Sequence, residues 1–598
     1  MIYNPLDTFY KSQIGAIKEN SKITFRVKGN FNSCVFCIKK DGFEYKSYQM
    51  QKKENYFEVS TKLTSGLYFY YFDLKNGEYI SNSYENIGVV ARAIQDFQLT
   101  VYDIEYEVPS WLSGGIIYQI FPDRFYRYEK EKNVPSYKVL HKDWKEKPVF
   151  MPNEQGEILN NDFFGGDLKG ITKKLDYIKS LGVNAIYLNP IFKAYSNHRY
   201  DTGDYMHVDE LLGTESDLIT LIDKAKEYGI KIVLDGVFNH TGIDSLYFNV
   251  YNRYDSLGAS QSKDSKYYNW YNFNNFPNDY GCWWGIKTLP TINKENQDYI
   301  DFITGENGVI DHYTKLGVSG WRLDVVDELP SNFVKNIRKA VKKANKNAII
   351  IGEVWEDASN KISYGKRREY FQGKELDSVM NYPLKNAIIE FVLSGNTNQL
   401  THTICQQIDH YPQSVLHSLM NILSTHDTAR ILSVLCGENI DGKDKIELSK
   451  IKILPDKMKD AIFRLKVATL LQFTLCGVPS IYYGDEVGME GFFDPLNRCP
   501  YPWGDENLEI LEWYKFLSKL RKRLSAFKKG EFNSVYNDNG VLIYKRIDEL
   551  SQVLICVNIS QNTYDFKFNG NLKELISNKI YSNEYVLNKK TIAIFIKN

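Results

Sequence analysis

The first hundred residues alternate between apolar and polar positions. The alternation has a period of two through ITFRVKG, CVFCIKK, YFEVS and GLYFYYFDL, with turn residues between them. This predicts the short strands of a β-sandwich over residues 1–105. From Trp111 the rhythm changes. Solid apolar runs of strand length alternate with helical segments: IIYQIFP, DLKGITKKLDYIKSLG, VNAIYLNP, ESDLITLIDKAKEYG and IKIVLDGVF. That order predicts a parallel sheet with crossover helices. Further strands are expected at 320–326, 348–354, 376–381, 420–425 and 480–483. With the three before them they complete an α/β fold of the (β/α)8 TIM-barrel type over residues 111–525. One connection is too long for a plain crossover. After Asn239-His240 an aromatic, Asn-rich stretch reads as a subdomain inserted over 239–290. Period two returns after residue 525 in VLIYKRI, QVLICVNI and TIAIFI, which predicts an antiparallel β domain over 526–598.

Charge and composition narrow the partners. The chain has 598 residues, with 74 Lys+Arg against 74 Asp+Glu. Such a balance offers no field to attract nucleic acid or a membrane surface. The first residues lack the apolar core of a signal peptide, and the longest apolar run, 467–483, contains Gln472 and breaks at Gly477-Val478-Pro479. No membrane span is expected, and a cytoplasmic location follows. Cys34 and Cys37 have CxxC spacing, but no second pair or His cluster follows, so they are expected in a strand rather than on a metal. Aromatics reach 14%; these rings suit both an ordinary core and stacking on sugar C–H faces.

The candidate chemistry sits where strands are expected to end. LDGVFNH (234–240), GWRLDVVDE (320–328), IIGEVW (350–355) and LSTHD (423–427) each begin apolar and finish in acids or histidines. Barrel enzymes carry their catalytic groups at the C-terminal ends of several strands. Asp324 lies beside Arg322, whose guanidinium is expected to depress its pKa and keep it ionised. Glu353 ends its strand among Ile351, Val354 and Trp355, where burial is expected to keep it protonated. One ionised and one protonated carboxyl is the pairing used in retaining glycoside hydrolysis. Asp427 with His426, and His240 from another strand, are placed to bind sugar hydroxyls. Any one such acid could equally be a helix cap or an ion-pair member.

These four segments resemble the four short regions shared by the α-amylase family, glycoside hydrolase family 13. So do YQIFPDRF (118–125), DFFGGDLKGI (162–171), NPIF (189–192), SNHRYDTGDY (196–205), LPTIN (289–293) and GVPSIYYGDEVGM (477–489). Within the family the text is most similar to the neopullulanase, cyclomaltodextrinase and maltogenic amylase group, with an amylopullulanase-like branch as neighbour. The resemblance implies a retaining α-glucan hydrolase acting on α-1,4 bonds in maltooligosaccharides, pullulan, cyclodextrins or soluble starch. Its alternatives are a hydrolase of both α-1,4 and α-1,6 bonds, and an α-glucosyl transferase. An inactive relative serving as a scaffold would lack the acids that stand here.

Roles implied by the resemblance follow position by position. Asp324 is the nucleophile, Glu353 the general acid/base and Asp427 the third carboxylate, on the 2- and 3-hydroxyls. Arg322 orients the nucleophile, and His240 and His426 touch the sugar being cleaved. Tyr200 is the platform beneath it, or a core aromatic. Asp494 and Arg498 clamp the next sugar, or pair with each other. Trp355 shapes the acceptor side, while Asp235 and Asn239 support the site. Trp283 and Trp284 stand open between subdomain core and sugar platforms. Gly165 and Asp167 match half of a calcium site. At the other half Arg127 stands where relatives have Asn, and a guanidinium is no ligand for Ca²⁺. Glu356, where many relatives have His, and LPTIN depart from the group near the acceptor side. The resemblance also implies a starch-binding-like N-terminal module and a homodimer formed through it.

Overall fold

The computed structural model describes residues 1–597; residue 598, the last position of the expected C-terminal domain, lies outside the described residues. Eight parallel strands form the central sheet: β1 Ile117–Ile120, β2 Ala185–Leu188, β3 Lys231–Gly236, β4 Gly320–Leu323, β5 Ile349–Gly352, β6 Ser378–Val379, β7 Met420–Asn421 and β8 Val478–Tyr482. β1 to β6 pair in chain order, and β8 pairs with β7 and back onto β1, with Ile117 opposite Ser480. The ring closes between β6 and β7 by one isolated parallel bridge, Met380 to Met420. At this seam side-chain amides replace much of the missing ladder. Asn381 Nδ2 donates to Asn421 Oδ1 at 2.9 Å and Gln407 Nε2 to Asn381 Oδ1 at 2.7 Å. Gln472 Nε2 donates to Asn421 O at 2.9 Å. The sheet is a (β/α)8 barrel.

The sequence forms these elements for local reasons. The strands are almost wholly buried and mostly apolar, as in IVL of β3 and III of β5, the pattern of a parallel sheet covered on both faces. Gly320 lets β4 approach β5, because a Cβ there would meet Ile349 O at 2.8 Å. The helix Glu215–Glu227 starts on Thr214 in a capping box with Asp217. It buries Leu218, Leu221, Ile222 and Ala225 on one stripe.

One expectation of the alternating pattern is corrected. Among the described residues the connection from β5 to β6 holds no helix. It holds a hairpin, Ile362–Ser363 with Lys366–Arg367, packed against the N-terminal domain through Arg367 and Asp41. The N-terminal strands form two sheets around a separate core that includes Phe25, Phe36, Tyr70 and Phe97. Cys34 and Cys37 lie buried there as free thiols. The C-terminal sheet has six antiparallel strands, from Glu531–Asp538 to Thr591–Lys597. Among the described residues no helix is long and apolar enough to cross a membrane.

Candidate active site

Arg322 organises the site. It is fully buried on β4, and its Nη1 donates to Asp324 Oδ1 at 2.8 Å and to Asp235 Oδ1 at 2.9 Å. Its Nη2 lies 2.8 Å from Glu353 Oε2 in an ion pair. One guanidinium therefore gathers acids from the ends of β3, β4 and β5. Val325, the residue after Asp324, has a left-handed φ of 38°. A β-branched residue adopts that conformation only where its surroundings impose it. Here it aims its N–H at Glu353 Oε2, 2.8 Å away. Trp355 Nε1 donates to Glu353 Oε1 at 3.1 Å, and its ring stacks on Tyr382 at 4.0 Å.

The opposite wall is a hydrogen-bonded chain. Gln119 Nε2 approaches His426 Nδ1 at 3.0 Å, which assigns the imidazole proton to Nε2. That nitrogen faces Tyr200 OH at 2.5 Å and Asp427 Oδ2 at 3.2 Å. Tyr200 OH in turn donates to Asp235 Oδ2 at 2.8 Å. Its ring lies parallel to that of His426, 5.1 Å between centroids. Arg498 is buried. It bonds His426 O through Nε at 2.9 Å, reaches Asp494 at 2.8 Å and lies 3.8 Å from Asp427 Oδ1. Asp494 and Arg498 thus pair with each other at the rim, the plainer of the two readings. On the third side Asn239 Oδ1 accepts from Lys294 at 2.7 Å. His240 stacks on Trp283 at 5.3 Å, its Nε2 buried without a partner.

Charge in the site differs from expectation at one residue. Asp324 was expected to be held down by Arg322. Instead its carboxyl is raised well above the ordinary value. Burial is the largest cause; Arg322 opposes it, and Glu353, Asp235 and Asp427 add repulsion. Burial, then Glu353, push Asp427 up to about 7. Four carboxylates face two guanidiniums, so the cluster retains protons near neutrality. Burial, then Arg498 and Arg322, hold His426 well below its ordinary range. Burial and Lys294 bring His240 down to about 3. Both rings are neutral hydrogen-bonding groups.

Gly165 and Asp167 lie apart from this cluster, in the first barrel loop, and do not fit calcium. Asp167 caps the helix Leu168–Lys173 through Gly170 N at 2.7 Å, and its other oxygen accepts from Glu129 N at 3.1 Å. That same oxygen accepts from the buried ammonium of Lys132 at 2.9 Å, which also reaches Leu211 O at 2.9 Å. The expected guanidinium is elsewhere: Arg127 bonds Lys130 O and His141 O. A lysine, not a metal, is the cation on Asp167. Among the described residues no group of three or more His, Cys, Asp or Glu is arranged for a metal ion.

The remaining candidates, Tyr200, Asp235, Asn239, His240, Arg322, Asp324, Glu353, Trp355, His426, Asp427, Asp494 and Arg498, fall into these three groups of contacts. Sequence reasoning missed Tyr187, whose OH donates to Asp235 Oδ2 at 2.5 Å, as well as Gln119, Lys294 and Tyr382. Gln119, Tyr187 and Tyr382 lie in or just after barrel strands, whereas Lys294 sits in the loop before the helix Gln297–Thr304.

A barrel with acids at the ends of adjacent strands, faced by aromatic rings and neutral histidines, is the architecture of a carbohydrate-active hydrolase. Residues 119–500 match the description "Alpha amylase, catalytic domain", and the chain belongs to the α-amylase family of glycoside hydrolases. It is 36% identical over 606 residues to an amylopullulanase of Thermoanaerobacter thermohydrosulfuricus, covering 90% of this chain and 40% of that protein. The chain thus spans less than half the length of that relative. It is 33% identical over 470 residues to a cyclomaltodextrinase of Thermoanaerobacter pseudethanolicus, covering 76% of this chain and 71% of the other. Among solved structures it is similar to the type III pullulan hydrolase from Thermococcus kodakarensis, with a TM-score of 0.70, 25% identity and full coverage of both chains.

Proposed function

We propose that this chain hydrolyses α-1,4-glucosidic bonds in maltooligosaccharides, pullulan, cyclodextrins or soluble starch, with retention at the anomeric carbon. The observation that carries this reading is the meeting of Asp324 and Glu353 on the single buried guanidinium of Arg322. Two carboxyls held this closely suit attack by one of them better than insertion of a water between them.

In the proposed reaction Asp324 attacks the anomeric carbon while Glu353 gives its proton to the departing glucosidic oxygen. The C–O bond breaks and a glucosyl ester forms on Asp324. Water then attacks the anomeric carbon, its proton passes to Glu353, and the bond from that carbon to Asp324 breaks, so that Asp324 leaves as a carboxylate. The Arg322 guanidinium opposes protonation of Asp324 and so favours the attacking anion. Asp427 and neutral His426 accept from and donate to the sugar hydroxyls, with the Tyr200 ring beneath.

A second reading, cleavage of α-1,6 bonds as well, is favoured by the similarity to an amylopullulanase over 90% of the chain. Digestion of pullulan separates the two. Panose is expected from α-1,4 cleavage and maltotriose from α-1,6 cleavage. Glu353→Gln should reduce either activity by roughly 10²–10⁴-fold, through loss of the proton donor. Undiminished hydrolysis in that variant would remove Glu353 from its role.

A further inference from the structure

The segment that follows β5 is tied down within a few residues of Glu353. Glu353 ends the strand, and Trp355 reaches back to it, its Nε1 donating to Glu353 Oε1 at 3.1 Å. Two residues further on, Asp357 gathers three donors on one oxygen. Its Oδ1 accepts from Tyr411 OH at 2.9 Å, from Ser359 N at 2.9 Å and from Ser359 Oγ at 2.7 Å. Its Oδ2 faces His410 Nδ1 at 3.4 Å. Tyr411 OH also accepts from Ala358 N at 3.2 Å. Burial opposes the charge on Asp357, yet the bonds from His410 and Ser359 hold its carboxyl below the ordinary value. The loop 357–360 is thus folded around a carboxylate, with Ala358 and Ser359 buried.

The N-terminal domain holds this loop by two routes. On the strand Phe97–Tyr102, Gln98 is buried and uses both ends of its amide. Its Nε2 donates to Ser359 Oγ at 2.8 Å, and its Oε1 accepts from Asn360 Nδ2 at 2.8 Å. The second route passes through the helix Asn398–His410, which ends beside Tyr411. Lys11 of the N-terminal domain forms an ion pair with Asp409 on that helix, and neither side chain is exposed. Asn86 Nδ2 donates to Asp409 Oδ2 at 3.2 Å, and Ala16 N donates to Tyr411 O at 3.2 Å. Removing either member of such a pair strands a buried charge, so the pair fixes the helix end against the domain.

We propose that the N-terminal domain sets the position of the general acid, with Gln98 as a positioning residue that acts on Glu353 through the segment 355–360. Asp357 lies four residues after Glu353. Trp355, midway between them, binds the acid through its indole N–H and the barrel through the ring of Tyr382. A loop free to shift at Ser359 would swing the indole and release Glu353 Oε1. A proton donor works only within hydrogen-bond reach of the departing oxygen. A small displacement therefore slows the step in which the bond to the leaving group breaks. This role rests on the reading of Glu353 as the acid given above. It makes the domain ahead of the barrel a contributor to the reaction, by holding that acid in place.

Aryl α-maltosides with a graded series of leaving phenols test this in the full chain. An acidic phenol departs without help, whereas a weakly acidic one needs the proton of Glu353. Gln98→Met keeps the side-chain volume and removes both amide bonds. It should lower kcat/KM about tenfold for the least acidic phenol and less than about twofold for the most acidic. Tyr411→Phe loosens Asp357 from the barrel side and should give the same graded pattern to a smaller extent. A general structural defect or a lost ring contact lowers the whole series alike. Such an even fall in Gln98→Met overturns the proposal, and so does an unchanged series. Glu353→Gln on the same substrates checks the acid itself, with the loss expected to grow as the phenol becomes less acidic. If the parent cleaves none of the series, or Glu353→Gln lowers every member equally, the reading of Glu353 falls and takes the proposal with it.

Discussion

The two walls of the cleft are built in opposite ways. On the side of Asp427 most of the polar side chains are tied to one another. Gln119, His426, Tyr200 and Asp235 form one chain of contacts, and buried Arg498 is fixed to His426 O. The first barrel loop backs this wall, since Arg124 Nη1 donates to Arg498 O at 3.0 Å. On the side of Glu353 the rings of Trp284, Tyr364 and Trp355 stand in solvent on short turns and a hairpin. A cross-linked wall fixes one sugar in one pose. An exposed aromatic wall accepts sugars in several poses, because stacking tolerates rotation better than a hydrogen-bond network does. The difference is one of rigidity: one wall is cross-linked by hydrogen bonds, the other presents exposed rings.

That contrast can be broken by experiment, beginning with the largest effect. Arg498→Ala should lower kcat/KM by about 10²–10³-fold on short and long glucans alike, because it removes the cation that pairs with Asp494 and lies beside Asp427. A loss confined to long glucans would make this the adaptable wall. Next, Lys132→Met should destabilise the chain by about 3 kcal/mol by leaving Asp167 buried beside no ammonium. Thermal unfolding would show a fall of several degrees, while a chelator should leave the parent's midpoint in place. An unchanged midpoint in the variant would deny the loop its proposed anchor. Trp355→Ala should raise KM about three- to tenfold for oligosaccharides. An unchanged KM would remove Trp355 from the substrate's path.

The smallest effect is a pH dependence. Asp427 titrates at about 7 in the folded chain against an ordinary 3.8. Folding therefore takes up a proton between those values, and stability falls as pH rises through that window. Asp427→Asn lacks this penalty. Its midpoint should gain on the parent by roughly 1–3 °C between pH 4 and pH 8. A constant difference across that range would show that the residue does not hold the proton.

The barrel and its acids were legible because two signals coincide at them. Apolar β-branched runs mark the strands, and each run breaks at a residue that can do chemistry, as at Asp324 and Glu353. Their protonation was not legible. Arg322 is two residues from Asp324 and visible in the text, whereas Asp235, Glu353 and Asp427 come together only through closure of the barrel. The hydrogen bonds from Trp284 and Tyr364 to Glu328 were illegible for the same reason. Trp284, Glu328 and Tyr364 belong to three separate connections, and their meeting depends on left-handed turns that no hydrophobic period reports. Lys132 lies in a charged loop whose text, FYRYEKEKN, drew attention to Arg127 instead. The missing helix between β5 and β6 is another such case: a hairpin braced by Asp41 takes its place.

The amide-stitched seam between β6 and β7 has a consequence for how the barrel comes apart. A ring opens where its ladder is shortest. Here two strands of two residues each meet through one backbone bridge. Amide groups such as those of Asn381, Gln407 and Asn421 can exchange partners with water one at a time, unlike a continuous ladder. Slow breathing of the enzyme should therefore begin at this line. Hydrogen exchange would reach Met380 and Met420 long before Val233 or Ile350, and the seam is the natural boundary between the first and last units to unfold.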